Sequence, residues 1–390
     1  MHKIVIASDS FKGSLTSLEV AKAAAKGVSS VLPECSTICL ETADGGEGTG
    51  AALRAGLGGK IVKLNVSGPL GEKVEAEYFI TEESGTAFIE MAQASGLTLI
   101  SPAERNPSLT STYGTGEMIA DALRRGCRKF IIGIGGSATN DGGTGMMEAL
   151  GYRFVGKQGE RIEKCNGGKL IDIEDIDISG VLPELKESEF RIACDVNTPF
   201  CGPEGATYIF SRQKGADRDM MKSLEAGMLS FCKVTERITG CSMDRIAGTG
   251  AAGGLGGAFK AYLDASLESG IDIILESTGF DRIIHDATLV ITGEGKIDGQ
   301  TAKGKVVAGI TAAAHKKNIP VIAIAGIVDM SEEELQRSGL AACFQIGPTP
   351  ENESDLEYAM RPEVASKRIS ETVAKALVSL SPSLFRENLL

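Results

Sequence analysis

Hydrophobic and polar positions along this chain follow two different patterns. KIVIAS at 3–8 is a short β-branched run ending in polar residues, and it predicts a buried strand. Leu18, Ala21, Ala25, Val28 and Leu32 then recur at helical spacing, and Pro33 ends the helix. STICLET at 36–42 predicts a second strand and residues 60–66 a third. The C-terminal third repeats this order. It offers TLVITG at 288–293, a helix over 303–317 carrying Val306, Ile310 and Ala313, and PVIAIAG at 320–326. A helix over 331–338 with Ser331 as N-cap, CFQIG at 343–347 and a closing helix over 361–380 complete it. Strand–helix–strand order of this kind builds a doubly wound α/β sheet.

The middle of the chain reads differently. Residues 68–80 and 87–91 alternate apolar and polar in the manner of antiparallel strands. KFIIGIGG at 129–136, YRFVG at 152–156 and FRIACD at 190–195 follow, separated by glycine-rich loops. A charged helix spans about 217–238, and an Ala/Gly-rich one starts near 251. The pattern predicts a second α/β domain, 68–284, inserted into a first built from 1–67 plus 285–390.

Composition narrows the function. The 390 residues are 42% hydrophobic and 24% charged, as in an ordinary globular protein large enough to need no disulfide scaffold. Forty basic residues against 52 acidic give a net charge of −12, without the basic face a nucleic-acid partner requires. Nine cysteines, odd in number and without a C-x-x-C pair, predict free thiols in a reducing compartment, hence a cytoplasmic protein. The initial apolar run is too short for a signal peptide, and the longest apolar stretch, 319–328, is too short to span a bilayer. Only three histidines leave little room for a histidine triad or hydrolytic zinc. Forty-nine glycines, nearly twice the usual share of about 7%, mean many tight turns or close backbone approaches.

Five segments gather small residues around acidic or amide side chains at predicted strand ends. They are SDSFKGSL (8–15), TADGGEGTG (42–50), GIGGSATNDGGTG (133–145), CDVNTP (194–199) with QKGA (213–216), and TGEGKIDGQTAKGK (292–305). Ligands in open α/β sheets bind beyond such ends, although any single loop of this kind can equally be a turn with a capping Asp. In the third segment the glycine amides with Ser137 and Thr139 can surround phosphate oxygens, and Asn140 and Asp141 can reach a magnesium ion or a substrate hydroxyl. Asp44 with Glu47 and Glu294 with Asp298 are further carboxylate pairs, an inventory suited to Mg-nucleotide chemistry. GTGAAG at 248–253 lacks the preceding strand of a dinucleotide fingerprint. GQTAKGKV at 299–306 has Val306 where a P-loop needs Ser or Thr.

SDSFKGSL, ADGGEGT, GIGGSATNDGG, ACDV…QKGA, GAAGG and VITGEG.xD.QT..GK, in this order, closely resemble the bacterial (type I) glycerate kinase family. The resemblance runs from residue 3 to about 380. It implies a discontinuous Rossmann/flavodoxin-like parallel-sheet domain, an inserted mixed-sheet α/β domain and an active site between them. It also implies ATP-dependent phosphorylation of D-glycerate, usually at the 2-hydroxyl, for which the carboxylate inventory above would hold Mg2+. Carried onto this sequence, Asp195 orients or deprotonates the glycerate hydroxyl, with Lys12, Asp44 and Lys296 as further catalytic candidates. Gly135, Gly136, Ser137, Thr139, Asn140, Gly250, Gly253 and Gly254 are expected to hold ATP, and Asp9, Ser10, Glu47 and Lys214 the substrate. Asp141, Glu294 and Asp298 are the expected metal ligands. Many members have Pro where Ser8 stands, and Thr198 precedes Pro199 where Asn is frequent. A kinase of another small hydroxy acid, a nucleotide-dependent dehydrogenase and a non-catalytic nucleotide-binding module are the alternative readings, and a homo-oligomer is left open.

Overall fold

The computed structural model describes residues 2–43, 50, 54, 57–298 and 306–384. These fall into two compact units: one of residues 2–43 and 271–384 with 54 and 57, the other of 58–270 with Gly50.

The first unit holds five parallel strands, spatially ordered Ala342–Gln345, Val321–Asp329, Leu289–Asp298, Lys3–Ser8 and Ser36–Glu41. Numbered along the chain within this unit, that order is 2-1-3-4-5 read from the Ser36–Glu41 edge, the flavodoxin-like arrangement. Its central strands read as continuous Val/Ile runs because helices cover both faces. Ile4, Ile6, Ile291 and Ile324 pack with Val20, Ala24, Val28, Ile369 and Val373 on one side. Val5, Val290, Val321 and Ala323 meet Ile271, Phe280, Val306 and Ile310 on the other. The helix Ser17–Val31 starts at a capping box formed by Thr16 and Glu19. It packs on Pro362–Leu384 at Gly27, where a β-carbon would lie 2.4 Å from the Ser370 carbonyl oxygen.

The second unit carries a six-stranded mixed sheet. Ser266–Glu268, Glu189–Ala193, Lys129–Gly133 and Thr86–Glu90 run parallel, and Lys73–Ile80 and Lys60–Ser67 complete it as antiparallel strands. The helices Tyr113–Arg124, Arg218–Thr239 and Leu255–Leu263 share its core with Phe130, Ile132, Phe190 and Ile192. YRFVG stands outside this sheet: Arg153–Val155 forms a small antiparallel sheet with Arg161–Ile162 and Asp175–Asp177.

Two expected boundaries move. Lys60–Ser67 pairs antiparallel with Lys73–Ile80, Lys60 opposite Ile80 and Ser67 opposite Lys73, so this strand belongs to the second unit and the division falls near 58. At the other crossing, Ile271, Leu275, Phe280 and Ile284 bury their side chains in the first unit's core, so the division falls near 271 instead of 285.

Candidate active site

In the second unit the parallel strands end in register. Glu90 and Ala193 both pair with Gly133, and Ala193 pairs with Glu268. The loops that leave these strands therefore begin side by side, at the edge where open α/β sheets bind ligands. Gly135 and Gly136 are exposed and Ser137 is half-buried. The backbone N–H groups of all three are without a partner among the described residues. Gly136 takes a left-handed conformation (φ +71°) that glycine adopts without strain. Three successive unpaired amides on a turn form the kind of concavity that receives an anion. Asp195, exposed, stands two residues beyond Ala193. Its Oδ1 accepts hydrogen bonds from Ser269 Oγ (3.0 Å) and the Gly270 amide (3.1 Å), where the chain leaves this unit. Glu90 also stands at this edge and accepts from the Gly50 amide (2.9 Å). The sequence reading missed it. Its one signal is a carboxylate closing the apolar run Thr86–Glu90.

Beneath this surface Thr139, Asn140, Asp141 and Lys214 are buried, the first three of them fully inaccessible. Asn140 Nδ2 donates to Thr207 Oγ1 (3.4 Å), while Thr139 Oγ1 and Asn140 Oδ1 have no partner among the described residues. Asp141, expected to bind metal, has both carboxylate oxygens engaged. Oδ2 accepts from the Thr112 amide (2.7 Å), Thr112 Oγ1 (2.8 Å) and the Gly145 amide (3.2 Å), and Oδ1 from the Gly143 amide (3.1 Å). Asp141 thus caps donors around the start of the helix Thr144–Ala149, whose N-cap position is Gly143, and joins them to residue 112. Burial pushes the Asp141 carboxyl above its ordinary range, against those donors. Lys214, expected to contact substrate, is 1% exposed. Its Nζ donates to Ser137 Oγ and to the Thr139 carbonyl, each at 2.7 Å. Burial brings its ammonium down to about 7, with Asp141 pulling the other way.

The glycines of GTGAAGGLGG are buried as well, and close backbone packing explains them. A β-carbon on Gly250 would lie 2.1 Å from the Pro199 carbonyl oxygen, on Gly253 2.1 Å from that of Thr139, and on Gly254 2.6 Å from the Phe200 ring. The Gly250 and Gly254 amides are spent internally, on the Thr198 and Gly250 carbonyls. Close backbone packing by itself therefore accounts for glycine at these three positions. Gly253 also has φ +66°. Gly253→Ala is expected to cost roughly 2–3 kcal/mol from left-handed strain and overpacking, read as a lower urea midpoint.

In the first unit, Asp9 and Ser10 are half-buried and Lys12 is exposed, in the turn after the strand Lys3–Ser8. Asp9 donates its amide to the Gly293 carbonyl (2.8 Å), and its Oδ1 accepts from the Ser10 amide (2.7 Å). Ser8 Oγ also donates to the Gly293 carbonyl (2.9 Å), so serine adds a bond here that proline could not make. Glu294 is buried on the neighbouring strand. Lys296 lies between Asp298 (3.4 Å) and Asp329 (3.2 Å), and these carboxylates, Asp329 first, raise its pKa. Asp44, Glu47 and residues 299–305 lie outside the described residues. With Asp141 saturated and Asp298 joined to Lys296, the residues expected to hold magnesium do not fit it as a set. Among the described residues no group of three or more His, Cys, Asp or Glu side chains is placed to hold a metal ion.

Comparison with known proteins identifies the scaffold. The model of the glycerate kinase family matches residues 4–379. A glycerate kinase from Bacillus cereus is 44% identical over 370 residues, which cover 95% of this chain and 96% of that one. A glycerate 2-kinase from Escherichia coli K12 is 45% identical over 344 residues, covering 88% and 90% respectively. The crystal structure of a protein provisionally assigned as glycerate kinase 2, from Salmonella typhimurium LT2, matches with a TM-score of 0.86 and 42% identity over 98% of both chains. This chain belongs to the glycerate kinase family, a family of phosphotransferases.

Proposed function

We propose that this protein phosphorylates D-glycerate with ATP, giving 2-phosphoglycerate and ADP. The observation that carries the reading is 44–45% identity to glycerate kinases over most of the chain, with the motif loops present in this chain. ATP, when bound, supplies the phosphoryl group. Positioning and charge neutralisation are what such a transfer asks of the protein. The amides of Gly135, Gly136 and Ser137 bind phosphate oxygens, and the Ser137 hydroxyl adds a fourth donor. Asp195 accepts the proton of the attacking hydroxyl while Ser269 and Gly270 hold its carboxylate in place. No described helix is long and apolar enough to cross a membrane. We place the protein in the cytoplasm on its nine free cysteines, which fit a reducing compartment.

The test is ADP release from Mg-ATP with D-glycerate, beside L-glycerate, glycolate and no acceptor. Release with D-glycerate alone is expected. Enolase added without a mutase should then form phosphoenolpyruvate directly, as only 2-phosphoglycerate allows. Release with a different acid would move the reading to a kinase of that hydroxy acid. No enolase product until a mutase is added would move the phosphoryl group to the 3-hydroxyl.

A further inference from the structure

Lys214 is the one lysine that the second unit buries among its described residues. It closes the short turn Arg212–Lys214, and Gly215 follows in a left-handed conformation (φ +100°). A β-carbon on Gly215 would lie 2.2 Å from the Arg105 carbonyl oxygen, so the turn is seated against residue 105 and its direction is fixed. The side chain then runs inward to Ser137 Oγ and the Thr139 carbonyl. No carboxylate oxygen among the described residues lies within the 4.0 Å of an ion pair.

Burying an ammonium without a contacting carboxylate is costly. A methionine would fill the same volume without that cost. What the lysine supplies is two hydrogen-bond donors aimed at the loop. The bond from Nζ occupies a lone pair of Ser137 Oγ from the buried side. The proton of Ser137 is thereby left for the half-exposed side, next to the unpaired amides of Gly135, Gly136 and Ser137. The bond to the Thr139 carbonyl fixes the same loop two residues further on.

The geometry points to Lys214 as a positioning residue that touches no ligand and sets the Ser137 hydroxyl and the 135–137 amides as one anion cradle for the phosphates of the bound nucleotide. This inference rests on the kinase reading above.

Two variant sets test it, with ADP release and calorimetric titration of ADP as readouts. Ser137→Ala and Lys214→Met are each expected to lower kcat about 10²-fold, the scale of losing one donor to developing charge. The KM for D-glycerate should stay within about threefold. Because the two act as a unit, the double variant should be no more than about threefold worse than the weaker single. Losses that multiply, or a glycerate KM raised more than about tenfold by Lys214→Met alone, would overturn the inference. Should Lys214→Met fail to fold, Ser137→Thr and Ser137→Val decide. Thr keeps the hydroxyl that Lys214 holds and should retain most of the activity and ADP affinity, whereas Val should lose both. Equal behaviour of Thr and Val removes this inference while the kinase reading stands. A wild-type protein that phosphorylates no hydroxy acid removes both.

Discussion

Asp195→Asn is expected to lower kcat by about 10²–10⁴-fold, the range for removing a general base, while the urea midpoint stays unchanged. The substitution separates two roles that the aspartate combines. One is structural: Oδ1 accepts from Ser269 Oγ and the Gly270 amide where the chain leaves the second unit. Asparagine keeps a carbonyl oxygen in the same position and so keeps both bonds. The other is chemical: only the carboxylate carries the charge and the basic lone pairs that take a hydroxyl proton. Asp195→Ala loses both, so it should show the same loss of turnover together with a lower midpoint. Measuring kcat at saturating D-glycerate beside the urea midpoint for both variants resolves them. Near-wild-type turnover in Asp195→Asn would leave Asp195 as a helix cap and remove it from the mechanism.

Much of the scaffold is legible in the sequence because local chemistry and tertiary structure agree there. KIVIAS is a buried strand over the residues its β-branched run marks, and Leu18 to Leu32 anticipates the helix Ser17–Val31. Ser331 caps its helix through a full capping box with Glu334. The helix expected over 217–238 spans Arg218–Thr239, with Asp217 as N-cap and Gly240 ending it in a left-handed conformation. Failures occur where the outcome depends on a distant partner. Residues 60–66 read correctly as a strand, but alternation cannot name the sheet it joins. The return of the chain through Lys73–Ile80 decides that.

The site divides along the same line. Glycine is the required residue both where a ligand approaches a backbone and where another backbone does. The letters at Gly135–Gly136 and at Gly253–Gly254 therefore look alike, while the first pair is exposed and the second buried against Thr139 and Phe200. Lys214 lies in the polar run Arg212-Gln213-Lys214, which carries no local sign that the third side chain turns inward. Its burial follows from the fit of Gly215 against Arg105, 110 positions away in the sequence.

Asp141 gives the sharpest contrast between the two ways of reading an acidic residue, and Asp141→Ala carries the largest stability prediction. Removing the carboxylate strands the Thr112 amide, Thr112 Oγ1 and the Gly143 and Gly145 amides in a site no water reaches. It also leaves Lys214 without the charge that favours its ammonium form. Each buried donor left unsatisfied costs about 1–3 kcal/mol, and such losses overlap. A total of about 3–5 kcal/mol is expected, a large part of the 5–15 kcal/mol typical of a folded protein. Asp141→Asn should cost less. Its carbonyl can serve the three donors on the Oδ2 side, but its NH₂ then faces the Gly143 amide, donor against donor. If Asp141 is a cap, the Mg2+ concentration for half-maximal activity of the Asn variant will match wild type at a temperature where both are folded. A requirement raised more than about tenfold, with the urea midpoint unmoved, would return Asp141 to the metal. The four donors around it make the first result the expected one, since each oxygen that would face a cation already faces a hydrogen.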